Sequence, residues 1–170
     1  MLKMKRINEK KSVTVATVAL NEGQNIGQFL KSVLKQKGNS FILKKILVIS
    51  DGSTDNTVMQ AESVPSQKIK VKNYQDRIGK SSRLNEIFSS LKTDILVLAD
   101  ADVILAHPLV ISALVKPFSN PKVGLVGGYP LPLPAQTFTE AAVNCTWDAY
   151  LPLRENYKLG HNVMSATGRI

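Results

Sequence analysis

The chain has 170 residues and a formal net charge of +9, from 22 basic and 13 acidic side chains. This length is typical of one domain with a full hydrophobic core, and the single cysteine, Cys145, excludes an internal disulfide. The sequence contains no secretory signal and no apolar run long enough to cross a bilayer. We therefore expect a cytoplasmic protein, either free or at the cytoplasmic face of the membrane.

The excess positive charge is concentrated near the start of the chain, at Lys3, Lys5, Arg6, Lys10 and Lys11. We expect residues 1–11 to form a basic N-terminal segment and residues 12–170 to form one domain. A basic chain attracts nucleic acid, anionic lipid or phosphorylated substrates. Nucleic acid is not expected, because no basic run with interleaved aromatic residues is present. Peripheral contact with an anionic membrane and a plain solvated lysine surface both stay open.

Predicted strands and helices alternate along the chain. Buried strands are predicted at residues 13–19, 46–50, 71–74 and 123–126, and a further strand begins at Ile95 and ends at two carboxylates. Helices are predicted from Ile26 to a stop at Gly38, between Asp55 and Pro65, around residues 84–91, at 108–116 and at 138–150. This order predicts an α/β fold: a doubly wound, mostly parallel sheet with helices on both faces.

The two carboxylates, Asp100 and Asp102, follow the apolar run Ile95-Leu-Val-Leu-Ala99. They should emerge at the carboxyl end of a buried strand, which is where open α/β sheets bind ligands. One carboxylate can hold a divalent cation and the other a ligand hydroxyl, while the phosphates of a nucleotide complete the coordination. A turn with solvated carboxylates is the alternative. An EF-hand loop is excluded, because Ile104 occupies a position that requires an oxygen ligand.

The loops after the first two strands carry further polar residues. Asn21 and Glu22 follow the first strand, and Asp51, Gly52 and Ser53 follow the second. Asp51 can accept a hydrogen bond from a base or a sugar hydroxyl, and Gly52 lets the backbone approach a ligand. The alternative for Asp51 is an Asx turn that caps the next helix, and Asp55 is expected to serve as that helix's own first-turn carboxylate.

Arg77, Gly79 and Lys80 precede the third helix, whose N-terminus can receive an anion. A Walker A loop is excluded, because Tyr74 stands where that motif requires a glycine. The first strand is not followed by Gly-x-Gly-x-x-Gly, which argues against a dinucleotide-binding domain.

Four motifs together resemble the family 2 glycosyltransferases of the GT-A fold, a Rossmann-like fold of nucleotide-diphosphosugar transferases. They are Ala19-Leu-Asn-Glu22, Val48-Ile-Ser-Asp-Gly-Ser-Thr-Asp-Asn-Thr57, Arg77-Ile-Gly-Lys80 with Leu84-Asn85, and Ala99-Asp-Ala-Asp102. Their order and spacing agree with the family across about residues 12–130. The resemblance implies a hexosyltransferase-type enzyme of polysaccharide or glycolipid biosynthesis. It would transfer a sugar, with inversion, from a nucleotide-diphosphate-sugar, most often a UDP-sugar, to a carbohydrate or lipid-linked acceptor.

The resemblance also implies the residues of the donor site. Those that would bind the nucleotide sugar are Leu20, Asn21, Glu22, Asp51, Gly52, Arg77, Lys80, Asp100 and Ala101. Among them, Asn21, Glu22 and Asp51 would hold the nucleoside. Arg77 would lie near the base, Lys80 near the donor and Asp100 near the ribose and sugar. Asp102 would coordinate a divalent cation, Mg²⁺ or Mn²⁺.

The general base of the family lies in an acidic motif beyond the segment that Ser165–Ile170 resembles. We therefore expect the base to lie beyond Ile170 and the chain to be a truncated donor-binding portion. Asp148 and Glu155 do not match the position of the motif, and each is expected to be a surface charge on a helix. The alternative is a catalytically inactive module that binds nucleotide sugars and lacks the base.

Overall fold

The protein is described here by a computed structural model that covers residues 10–128 and 131–156, with the backbone alone for 150–156. Most of the predicted basic segment, the side chain of Glu155 and the segment Ser165–Ile170 lie outside this description. The chain divides into two units, Met1–Val126 and Gly127–Ile170.

The first unit contains a four-stranded parallel sheet. Its strands are β1 (Lys11–Ala19), β2 (Phe41–Asp51), β3 (Ile69–Tyr74) and β4 (Ile95–Leu98), in the order β3-β2-β1-β4. The helices between and after them are α1 (Ile26–Leu34), α2 (Thr57–Glu62), α3 (Lys80–Ser89) and α4 (Val110–Val115), which continues into a 3-10 turn at Lys116–Ser119. The predicted α/β class and parallel sheet are confirmed.

Helices cover both faces of this sheet, and β1 is therefore buried on both sides. Val13 and Val15 of β1 pack in one core with Phe29 of α1 and Ile111 of α4. On the opposite face, Ala16 packs with side chains of β2 and with Ile87 of α3. The strand order reverses between β1 and β4, so the crevice at their carboxyl ends is the topological switch point where such sheets bind ligands.

Two predicted strands differ from the structure. β2 begins at Phe41, five residues before the predicted start, because its first half alternates between buried and exposed side chains and pairs with the start of β1. The predicted strand at 123–126 is wrong. None of the described strands pairs with it, the backbone N–H of Val123 closes a turn on the carbonyl of Asn120, and Leu125 is 81% exposed.

The second unit is described from residue 131 to residue 156 and contains the helix α5 (Phe138–Asn156). Its start agrees with the predicted one, and a capping box explains it. The backbone N–H of Glu140 donates to the hydroxyl of Thr137, and the Glu140 carboxylate accepts from the N–H of Thr137, both at 3.2 Å. Within the described part of the chain, no helix is long and apolar enough to cross a membrane.

Candidate donor-binding site

The predicted site residues lie at the carboxyl end of the sheet, in the loops after β1, β2 and β4 and at the start of α3. The first two loops are tied together by hydrogen bonds. Asn21 adopts a left-handed conformation with φ of 56°, so that its N–H donates to Ser53 Oγ at 3.1 Å and its Oδ1 accepts from the N–H of Thr54 at 2.8 Å. The N–H of Glu22 donates to Thr57 Oγ1 at 2.7 Å. Half-buried Leu20 links β1 to this loop.

Asp55 strengthens the same junction. Its carboxylate accepts the N–H of Thr57 at 2.9 Å, close to the start of α2, and the N–H of Gly23 at 3.0 Å. Burial raises the pKa of Asp55, but the hydrogen bonds from Thr57 and Gly23 outweigh this effect and hold the pKa below its usual range. The expected role at the start of α2 is therefore accompanied by a second role, as a bridge between two loops.

Asp51 lies at the end of β2 and is only 2% exposed. The structure does not place it as a cap of α2. Instead, its carboxylate accepts the N–H groups of Ile78 at 3.1 Å and Gly79 at 2.8 Å, and the Nε–H of Arg83 at 2.8 Å. A carboxylate accepts about four hydrogen bonds, so Asp51 has capacity for one more donor.

The charge of Asp51 is stabilised by these contacts. Burial raises its pKa, but the hydrogen bonds from Ile78, Arg83 and Gly79 and the charge of Arg83 together lower it below the usual range. Asp51 therefore stays ionised at neutral pH although it is buried.

Gly52 lets the second loop approach the loop before α3. Its φ is +78°, and a Cβ atom at this position would lie 3.0 Å from the backbone nitrogen of Arg77. Arg77 itself is exposed. The requirement for glycine here is both conformational and steric.

Lys80 and Asp100 form an ion pair across the crevice, with 2.5 Å between Lys80 Nζ and Asp100 Oδ1. The contact joins the first residue of α3 to the loop after β4. Ala101 is 2% exposed and packs in the core. Asp102 Oδ1 is buried and accepts no hydrogen bond from the described residues.

The residues present fit a cation that is held mainly by a ligand. No three His, Cys, Asp or Glu side chains within residues 10–128 and 131–149 form a group that could hold a metal ion. Asp102 does offer one buried carboxylate oxygen without a donor, and a buried oxygen left without a partner is costly unless a ligand uses it. Magnesium typically takes one or two carboxylates and fills its coordination with phosphate oxygens and water.

Arg83 is the site residue that the sequence reasoning missed. It lies four residues before Ile87 and shares the buried face of α3, where an arginine requires charged or polar partners. That position, three residues before Glu86, was the available signal.

The chain matches the family model described as glycosyl transferase family 2 over residues 14–168. The chain belongs to this family.

Two curated relatives of this chain are synthases with different names. The poly-β-1,6-N-acetyl-D-glucosamine synthase of Staphylococcus aureus strain COL is 31% identical over 130 residues, which is 73% of this chain and 30% of the relative. The glucosyl-3-phosphoglycerate synthase of Mycolicibacterium paratuberculosis is 28% identical over 111 residues, which is 63% of this chain and 33% of the relative. The matched segment thus spans about a third of each relative.

Solved structures of similar fold include two transferases. A mannosyltransferase from Pyrobaculum calidifontis in complex with GDP-Man and Mn²⁺ has a TM-score of 0.59 and 25% identity, covering 69% of this chain and 35% of the other. The glucosyl-3-phosphoglycerate synthase of Mycobacterium tuberculosis in complex with Mn²⁺, UDP and glucosyl-3-phosphoglycerate has a TM-score of 0.53 and 26% identity, covering 65% of this chain and 40% of the other.

Proposed function

We propose that this chain is the donor-binding portion of an inverting glycosyltransferase. Its donor is a nucleotide-diphosphate-sugar, with UDP as the first candidate nucleotide, and its acceptor is a hydroxyl of a carbohydrate or a lipid-linked sugar. A divalent cation, Mn²⁺ or Mg²⁺, assists the transfer.

The observation that carries this proposal is that a cationic side chain and a carboxylate oxygen without a donor in the described part of the chain both lie at the switch point. Lys80 and Asp100 face each other there, and the buried Asp102 Oδ1 has no donor among the described residues. A cationic side chain and a free carboxylate oxygen suit a diphosphate with its cation. The two solved transferases, which are in complex with Mn²⁺ and with GDP-Man or UDP, support the same ligand class for this chain.

Each site residue has a role that follows from its position. The remaining acceptor capacity of Asp51 suits the N–H of a base, and exposed Arg77 can stack on or bond to that base. Lys80 has half of its side chain exposed, so its ammonium group can leave Asp100 for a phosphate oxygen. Asp100 is then free to accept a hydroxyl of the ribose or the donor sugar.

The cation would bind at Asp102 and would supply Lewis-acid stabilisation of the diphosphate as the sugar departs. Lys80 would add a second positive charge on the same leaving group. We assign the general base that deprotonates the acceptor to none of the described residues. Asp148 is exposed on α5, which agrees with a surface charge.

A second part of the proposal is peripheral contact with an anionic membrane. Five exposed lysines lie at or near the amino ends of the strands: Lys10, Lys11, Lys37, Lys68 and Lys92. Their charges would attract anionic lipid head groups from the end of the sheet opposite the donor site.

The donor site is tested by isothermal titration calorimetry of UDP and of GDP into the full chain, with Mn²⁺ and with EDTA. We expect UDP to bind in the presence of Mn²⁺ and to lose at least about tenfold in affinity with EDTA or in an Asp102→Asn variant. Asp148→Asn is the matched control, since it removes the same charge from an exposed position on α5.

Tighter binding of GDP than of UDP would replace the proposed nucleotide and keep the site. If the wild-type chain and Asp102→Asn bind the nucleotide with equal affinity, Asp102 does not bind the cation. If a folded wild-type chain binds neither nucleotide with Mn²⁺, the proposed donor site is wrong.

A further inference from the structure

Arg83 is a buried charge whose position the packing of α3 does not explain. Only 5% of the residue is exposed. A buried guanidinium loses its hydration, so it is retained where several groups of the protein replace the lost water. The groups that do so here identify what Arg83 holds in place.

Two of the four side-chain contacts of Arg83 are with the segment that joins β3 to α3 or with the residue that binds this segment, and a third is with the last residue of β3. Its Nε–H donates to Asp51 Oδ1 at 2.8 Å, and its Nη2 donates to the carbonyl of Asp76 at 2.9 Å. Its guanidinium carbon lies 3.6 Å from the centre of the Tyr74 ring, at the end of β3. The fourth contact, at 3.7 Å, is with Glu86 of its own helix.

The same segment is held from its other side by Asp51, which accepts the N–H groups of Ile78 and Gly79. Arg83 and Asp51 therefore fix residues 76–79 at both ends, through one carbonyl and two amides. This loop carries Arg77 and leads directly into Lys80, the two basic residues of the proposed donor site.

We propose that Arg83 is a positioning residue of the donor site, which acts through Asp51 and the Asp76 carbonyl to set the loop 76–79 before the nucleotide binds. The inference rests on the proposed function. A loop that is already ordered does not lose conformational freedom on binding, so its order increases affinity without any contact between Arg83 and the ligand.

Arg83→Gln keeps a polar side chain, although a shorter one, and removes the charge and the fork of donors. We expect it to weaken binding of UDP with Mn²⁺ by about tenfold, measured by calorimetry well below the unfolding temperature. Arg83→Lys keeps the charge and one donor, and should recover part of the affinity. Lys72→Gln is the control, because Lys72 also binds Glu86, at 2.6 Å, but has no contact with the loop.

A merely structural role of Arg83 would lower stability in Arg83→Gln and leave the affinity of the folded chain equal to that of the wild type. That result overturns the inference and keeps the donor site. A wild-type chain that binds neither UDP nor GDP overturns the donor site and the inference with it, so the two failures are distinguished.

A second measurement keeps the inference testable if Arg83→Gln does not fold. In the wild-type chain without nucleotide, the amide hydrogens of Ile78 and Gly79 should exchange slowly, since both are bonded to buried Asp51. The amide of Gln75, an exposed residue of the same segment, serves as the reference. If the amide hydrogens of Ile78 and Gly79 exchange as fast as that of Gln75, the loop is not ordered before the nucleotide binds. This result would overturn the inference.

Discussion

At the scale of single residues, Gly52 is a position in the candidate site where both the backbone conformation and the nearby backbone require glycine. We expect Gly52→Ala to lower the free energy of unfolding by about 1–3 kcal/mol, since alanine is strained at a φ of +78° and its Cβ would lie 3.0 Å from the backbone nitrogen of Arg77. Urea denaturation measures this change. Nucleotide affinity should fall too, because the loop of Arg77 must move.

Gly27→Ala is the matched control for this substitution. Gly27 lies inside α1, and a Cβ there would meet no atom within 4 Å. Alanine is favoured over glycine in a helix, so we expect a gain of about 0.5–1 kcal/mol. A loss of stability in Gly52→Ala no larger than the change in Gly27→Ala would contradict the close approach of the two loops.

Single residues also show how far the sequence could be interpreted. Asp51, the last residue of β2, and Asp102, in the loop after β4, were predicted as site residues because ligands bind at the carboxyl ends of such strands and because their motifs resemble the family. Arg83 was not found, since its role depends on Asp51 and Asp76, which lie 32 and 7 residues earlier in the chain. Its spacing from Ile87 was a local signal that it shares the buried face of α3, but only the tertiary contacts show which groups it binds.

At the scale of secondary structure elements, the short pairing of β1 with β4 is reinforced by Asp94. The pairing spans four residues, Ile95–Leu98, and the Asp94 carboxylate accepts the hydroxyl of Ser12 at 2.6 Å and its N–H at 2.7 Å. The hydroxyl and then the amide of Ser12 lower the pKa of Asp94 below its usual range. This stabilisation is complete above about pH 4 and is lost as the pH falls through the lowered pKa.

We therefore expect the free energy of unfolding of the wild-type chain to fall below about pH 4 more steeply than that of Asp94→Asn, which cannot titrate at this position. Ser12→Ala keeps the carboxylate and removes the strongest donor, so its acid dependence should lie between the two. Urea denaturation across the acid range measures this. Superimposable profiles for the wild-type chain and Asp94→Asn would exclude the contribution of Asp94.

The core between α1 and the sheet allows a comparison within one residue type. Phe29 of α1 is fully buried, whereas Phe88 of α3 is 53% exposed. Phe29→Ala should lower the free energy of unfolding by about 3–5 kcal/mol, and Phe88→Ala by less than about 1 kcal/mol. Equal losses in urea denaturation would mean that α1 does not cover the larger core.

Strands were predicted best where the sequence is rich in apolar residues. Such runs identified both β1 and β4 as parallel strands; β1 is buried on both faces, whereas Leu98 of β4 is 40% exposed. The first half of β2, residues 41–45, alternates between buried and exposed positions, but its sequence Phe-Ile-Leu-Lys-Lys has no alternation of apolar and polar residues, so it was missed. The segment 123–126 has an apolar composition, but a strand also needs a neighbouring strand to pair with. Composition alone does not show whether such a partner is present.

At the scale of the whole molecule, the parallel sheet of the first unit has the carboxylates of the proposed site at one end and a group of lysines at the other. The proposed donor site, with Asp51, Asp100 and Asp102, lies at the carboxyl ends of the strands, whereas Lys10, Lys11, Lys37, Lys68 and Lys92 lie at or near the amino ends. A membrane bound at the lysines would leave the donor site open toward the solution. A water-soluble nucleotide sugar would then enter freely, and a lipid-linked acceptor would have to extend past the sheet to reach it.

Vesicle binding tests this orientation. Exchanging Lys68 and Lys92 for glutamine should weaken binding to anionic vesicles by about thirtyfold at low salt, since each lysine near such a surface contributes about 1 kcal/mol. Exchanging Lys31 and Lys72 removes the same charge from α1 and from the later part of β3, and should have a much smaller effect. Equal effects of the two pairs would assign the attraction to net charge alone, because only a defined contact face distinguishes lysines by position.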